Sequence, residues 1–220
     1  MRKALRRAAD PAKALAMQAY MKSAMPYHGV PAPLLRKICR ETFADARIET
    51  ARQWRAQVLR MWRDAEFREE RYAAVYLARD RRTQRFQTPA AMKMYEELIV
   101  TGAWWDYVDE IASHCIGPIV RDHPGPMRRK ILSWAKSENL WKRRAAILCQ
   151  LGFKRETDLT LLYACIEPSL GSPEFFLQKA IGWALRQYAW TDPAEIKGYV
   201  RRNRSRLSAL SLREALKNIG

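Results

Sequence analysis

The stretch Thr101-Gly102-Ala103-Trp104-Trp105-Asp106-Tyr107-Val108-Asp109, running on from Glu110 to Val120, decides how this chain is read. Gly102 punctuates it, and Asp106 falls in an opening turn, where helix starts favour a carboxylate. Trp104, Val108, Ile111, Ala112, Cys115 and Ile119 then recur at helical spacing as one apolar stripe. Trp105 and Asp109 lie one turn apart, neighbours on the flank of that stripe. An indole beside a carboxylate at the edge of a core suits a cationic ligand. An ordinary helix edge presents the same pair.

Outward from this stretch almost every segment reads as helix. Ala, Leu, Arg, Lys, Met and Glu dominate, and strand-like alternation is missing. The pattern predicts helices over 2–9, 11–25, 31–44, 50–61, 66–79, 88–100, 104–121, 125–136, 139–151, 157–167, 173–189, 192–202 and 208–218. Turn chemistry separates them, as at Pro26-Tyr27-His28-Gly29 and Asp122-His123-Pro124-Gly125-Pro126. Pro89, Pro173 and Pro193 fit first-turn positions, where a missing N–H costs nothing. Short helices on short links predict an all-α fold: one domain over 1–220, a superhelical solenoid of stacked HEAT-like antiparallel helix pairs with a basic concave face. The sequence period is weak, so a compact irregular bundle is the alternative.

Forty Lys and Arg against 23 Asp and Glu give a net charge of +17, and such a surface attracts polyanions. Nucleic acid is the favoured partner, an anionic membrane the lesser one. Cys39, Cys115, Cys149 and Cys165 each sit among helix-like apolar residues, as reduced core cysteines of a cytosolic protein do. His28, His114 and His123 show no metal-ligand spacing. No apolar run is long enough to span a bilayer, and no secretory apolar region follows the basic start Met1-Arg2-Lys3.

Two more predicted helices break their own pattern. Over 139–151 the apolar stripe Trp141, Ala145, Leu148, Leu151 has Arg144 within it. A buried arginine must find an anion, either an acidic core residue or a phosphate. Lys142 and Arg143 point elsewhere, as solvated charges or additional phosphate contacts. Over 173–189 the core stripe is Leu177, Ala180, Ile181, Ala184 and Tyr188, and the opposite face carries Phe176, Lys179, Trp183, Arg186 and Gln187. Aromatic residues among cations suit nucleic-acid contact; burial of both faces in a layered array explains them equally well.

These stretches together resemble a known family. Trp104 to Asp109, then Asn139-Leu140-Trp141-Lys142-Arg143-Arg144-Ala145-Ala146-Ile147, then Phe175 to Arg186 are similar to the AlkD-type DNA alkylation-repair glycosylases, and the likeness runs from about Tyr20 to the C-terminus, with the closing Leu210-Ser211-Leu212-Arg213-Glu214-Ala215 included. It implies a HEAT-like repeat enzyme that wraps duplex DNA. Such an enzyme excises cationic N3- and N7-alkylated purines in base excision repair, without metal or organic cofactor and without flipping the base into a pocket. It implies Asp109 as the catalytic carboxylate, Trp105, Trp183 and Tyr20 as the cradle of lesion and sugar, and Arg144, Lys179 and Arg186 as phosphate-binding residues. The expected partner is double-stranded DNA with alkylated bases, the expected state a monomer in a bacterial-type cytosol or nucleoid. One departure shows after Pro31: the family often has Pro-Glu-Arg, whereas Pro33 is followed here by Leu34 and Leu35, then Arg36. The competing class is a non-catalytic helical-repeat protein that binds DNA or serves as a scaffold.

Overall fold

The computed structural model describes residues 1–219, and their regular structure is helical throughout. The backbone divides into two compact units, Met1–Gln87 and the chain from Thr88 on.

In the first unit, α1 (Arg2–Arg7) precedes α2 (Pro11–Met21), which is capped by the Asp10 carboxylate on the Lys13 N–H at 3.1 Å, with Pro11 in the first turn. The sequence extends this helix to 25, but Lys22 turns left-handed at φ 48° and ends it. Then come α3 (Ala32–Phe43), α4 (Ala51–Arg63) and α5 (Arg68–Ala78), with α5 packed on both others. Thr50 and Gln53 form a reciprocal capping box at the start of α4. Trp54, Trp62, Leu35 and Leu77 fill the core. Glu69 is fully buried and accepts from the backbone N–H groups of His28, Gly29 and Val30 at 2.9, 2.9 and 3.1 Å, tying the Pro26 turn to α5. Gly29 is required there: its φ is +82°, and a Cβ would lie 2.0 Å from the Asp10 carbonyl oxygen. A short 3₁₀ helix, Arg81–Phe86, lies between the helices expected over 66–79 and 88–100.

The second unit holds α6 (Met92–Gly102), α7 (Trp105–Ile111), α8 (Gly117–Asp122), α9 (Pro124–Ala135), α10 (Leu140–Leu148), α11 (Leu159–Ile166), α12 (Phe175–Ala189), α13 (Pro193–Arg202) and α14 (Ala209–Leu216). Helix α10 is its hub, packing on α6, α7, α9, α11 and α12; α14 lies along α12. Tyr107, Ile111, Ile116, Trp134, Leu148 and Leu177 are buried around it.

The helix expected over 104–121 exists with a widened turn inside it. Ala103, left-handed at φ 42°, separates α6 from α7. Between α7 and α8 the residues Ala112–Ile116 form a π turn. Pro118, in the first turn of α8, has no N–H to give a regular ladder, and the Ser113 hydroxyl donates to the Asp109 carbonyl at 2.6 Å. Gly117 passes so close to α10 that a Cβ would stand 2.6 Å from the Cys149 carbonyl oxygen. The turn begins three residues after Asp109 and rests on the hub helix.

Candidate active site

Helix α7 begins with Trp104 as an extended N-cap residue, Trp105 as its first helical position and Asp106 in its first turn. Asp109 follows one turn after Trp105, on the side toward α10. The start of α10 is fixed by Asn139, whose side-chain oxygen accepts from the N–H groups of Trp141 and Lys142 at 3.0 and 3.1 Å. That start places Arg144 between α7 and α12.

Arg144 fills that position completely. Its Nε donates to Asp109 Oδ1 at 2.6 Å and an Nη to Oδ2 at 2.7 Å, a two-pronged carboxylate–guanidinium pair. Its other Nη donates to the Phe176 carbonyl in the first turn of α12. One side chain thus joins three helices, with three of its five N–H donors committed. The Arg144 side chain is 5% exposed and that of Asp109 12%. Burial pushes the Asp109 carboxyl above its ordinary value; the hydrogen bonds and charge of Arg144 oppose this, and the charge of Asp106 adds a smaller upward push.

An aromatic wall stands beside the pair. Phe176 packs against Trp141 at 5.0 Å and edge-on to Trp104 at 5.4 Å, and Trp104 and Trp141 lie 6.1 Å apart. The Arg144 guanidinium sits 5.9 Å from the Phe176 ring centre. Of the two readings open for Phe176, nucleic-acid contact or burial in a layered array, the fold favours the second in part: the ring is half-buried where the first turn of α12 meets Trp104 and Trp141. Trp105 and Trp183 are half-buried on α7 and α12 and keep part of their surface in solvent.

Of the residues singled out in the sequence, the fold brings Asp109 and Arg144 into contact. It also joins Lys179 and Arg186, through a residue the pattern did not single out. Glu214 on α14 accepts from Lys179 Nζ at 2.8 Å and from an Arg186 Nη. These contacts hold the Glu214 carboxyl below its ordinary value, the Lys179 hydrogen bond most of all. Tyr20 lies on α2 in the first unit and is 79% exposed. Sequence reasoning also missed Glu96, which binds Lys142 at 2.6 Å and Lys130 at 3.0 Å, and the carbonyl of Phe176. Glu214 stood inside a quoted motif, yet no spacing rule connects it to α12; the backbone acceptor has no sequence signal at all.

The chain belongs to the DNA alkylation repair enzyme family, whose model matches residues 1–219. A solved structure described as a predicted DNA alkylation repair enzyme from Enterococcus faecalis is similar, with a TM-score of 0.86 and 30% identity over 96% of this chain and 97% of that one. No curated protein matches the chain. The likeness to the AlkD type read from Trp104–Asp109, Asn139–Ile147 and Phe175–Arg186 is thereby borne out.

Proposed function

We propose that the protein is a DNA glycosylase that releases cationic N3- and N7-alkylated purines, such as 3-methyladenine and 7-methylguanine, from duplex DNA without base flipping. The observation that carries the proposal is the Asp109 carboxylate, largely buried and fixed by Arg144, on the helix that presents Trp105.

The chemistry follows from charge. Alkylation at N3 or N7 makes the purine cationic and a better leaving group. As the glycosidic bond breaks, positive charge moves to the deoxyribose. A carboxylate fixed beside C1′ stabilises that oxocarbenium-like state, as in glycoside hydrolysis, and does so best where water is excluded. Because Arg144 holds both Asp109 oxygens, the carboxylate does not have to reorient during the reaction. Water then adds to the sugar, leaving free base and an abasic site. The faces of Trp105 and Trp183 suit a cationic sugar, at about 0.5–2 kcal/mol per contact depending on desolvation. Tyr20, exposed on α2, is the third residue of the cradle in this reading. Arg144, Lys179 and Arg186 bind backbone phosphate through the donors their carboxylate partners leave open, and stacked HEAT-like helix pairs carry the duplex. DNA is bound through its backbone rather than by sequence.

Selectivity by lesion charge is the testable consequence. The protein should release 7-methylguanine and 3-methyladenine from duplex oligonucleotides and leave neutral hypoxanthine in place. Equal release of all three would show that the lesion's own charge is not used, and the proposal would fail.

A further inference from the structure

We propose that Arg143 contacts a backbone phosphate of duplex DNA and sets its register against Asp109. This rests on the reading of the protein as a DNA-acting enzyme. Helix α10 carries three consecutive cations, Lys142, Arg143 and Arg144. Two of them are committed inside the protein: Lys142 Nζ lies 2.6 Å from Glu96, and Arg144 is locked into Asp109 and the Phe176 carbonyl. On α12, Lys179 and Arg186 share Glu214. Arg143 differs from all of these. Among the described residues its side chain has no hydrogen-bond or ion-pair partner, it is half-buried, and its Nε is buried without an acceptor.

Packing of the aliphatic stem explains buried methylenes. It does not explain a buried N–H on a charged group, which is costly to leave unpaired. The Asn139 cap already takes the Trp141 and Lys142 N–H groups, and the Arg143 N–H bonds the Asn139 carbonyl at 3.2 Å. Beside the donors that Arg144 leaves open, what this part of α10 offers a ligand is therefore the Arg143 side chain. A planar guanidinium fork with free donors matches two phosphate oxygens. A phosphate held by Arg143 is one residue from the arginine that fixes Asp109. Gripping the backbone there sets where the carboxylate falls along the strand.

The test is titration of an undamaged fluorescent duplex across a salt series, with the full chain and Arg143→Gln. The variant should bind about tenfold more weakly. Its plot of log K against log salt should be shallower by about 0.9, the loss of one phosphate contact. Its melting temperature should be unchanged, and at saturating protein it should release base from alkylated duplex more slowly than the wild type in a single turnover, because the strand is no longer held in register against Asp109. A wild-type slope in the variant overturns the assignment. Should the glutamine variant lose its melting transition, Arg143→Met, which retains an apolar stem, is judged by the same slope. A wild-type chain with a flat salt response overturns both Arg143 and the DNA reading. A predicted slope change in a chain that releases no base supports Arg143 and rejects the glycosylase.

Discussion

Arg144 shows how one residue can be legible in type and ambiguous in role. Its place within an apolar stripe demanded an anion, and the sequence left two: an acidic core residue or a phosphate. The fold supplies Asp109, 35 positions away, and no spacing rule links positions so distant. Removing the arginine would leave a carboxylate buried and unpaired, so Arg144→Ala should lose about 3–5 kcal/mol of stability, measurable by denaturant unfolding. Replacing both partners, as Asp109→Leu with Arg144→Met, should recover most of that loss while abolishing base release; a double variant as unstable as the sum of the singles would contradict an isolated pair. The pH dependence has a definite sign. Burial raises the Asp109 carboxyl, and catalysis needs it ionised. Base release should therefore fall on acidification at a pH above the ordinary aspartate value of about 4. The folded chain holds this proton to higher pH than the unfolded chain does. The group thus removes stability as pH rises through its raised value, the reverse of an ordinary salt-bridged aspartate. An acidic limb at or below the ordinary value would contradict the raised carboxyl.

At the scale of the helix, the breaks were readable because Pro, Gly and capping residues mark them locally. Helix ends were less so: α2 stops at Met21 because Lys22 turns left-handed, which nothing in Met21-Lys22-Ser23 announces. The π turn after α7 could be inferred only from Pro118 combined with the close approach of Gly117 to α10, and that approach is tertiary. The α12–α14 contact gives an element-level prediction. A Cβ at Gly182 would lie 2.5 Å from Glu214 Cβ and 3.1 Å from the Ser211 carbonyl oxygen. Gly182→Ala should push α14 off α12 and cost about 1–3 kcal/mol by overpacking. It should also release Lys179 and Arg186 from Glu214. A melting temperature equal to wild type would show that α14 yields without strain.

For the whole molecule, the charge of +17 pointed to a polyanion and three ordered motifs pointed to the family. What the sum of charges hid is which cations are open. Glu96 and Glu214 between them engage Lys130, Lys142, Lys179 and Arg186, so a count of basic residues overstates the phosphate contacts. Duplex binding should still weaken steeply with salt, each contact adding about 0.9 to the slope.

The most direct test of the central claim is single-turnover release of 7-methylguanine from duplex DNA by the wild-type chain and by Asp109→Asn, with duplex affinity measured in parallel. The substitution keeps the side chain's shape and an oxygen for Arg144, but removes the charge. The account predicts release by the wild type, loss of most of it in the variant, and similar affinity in both. Undiminished release by Asp109→Asn would remove Asp109 from the chemistry. No release by either, with tight salt-sensitive binding, would identify a protein that holds DNA without cutting the glycosidic bond.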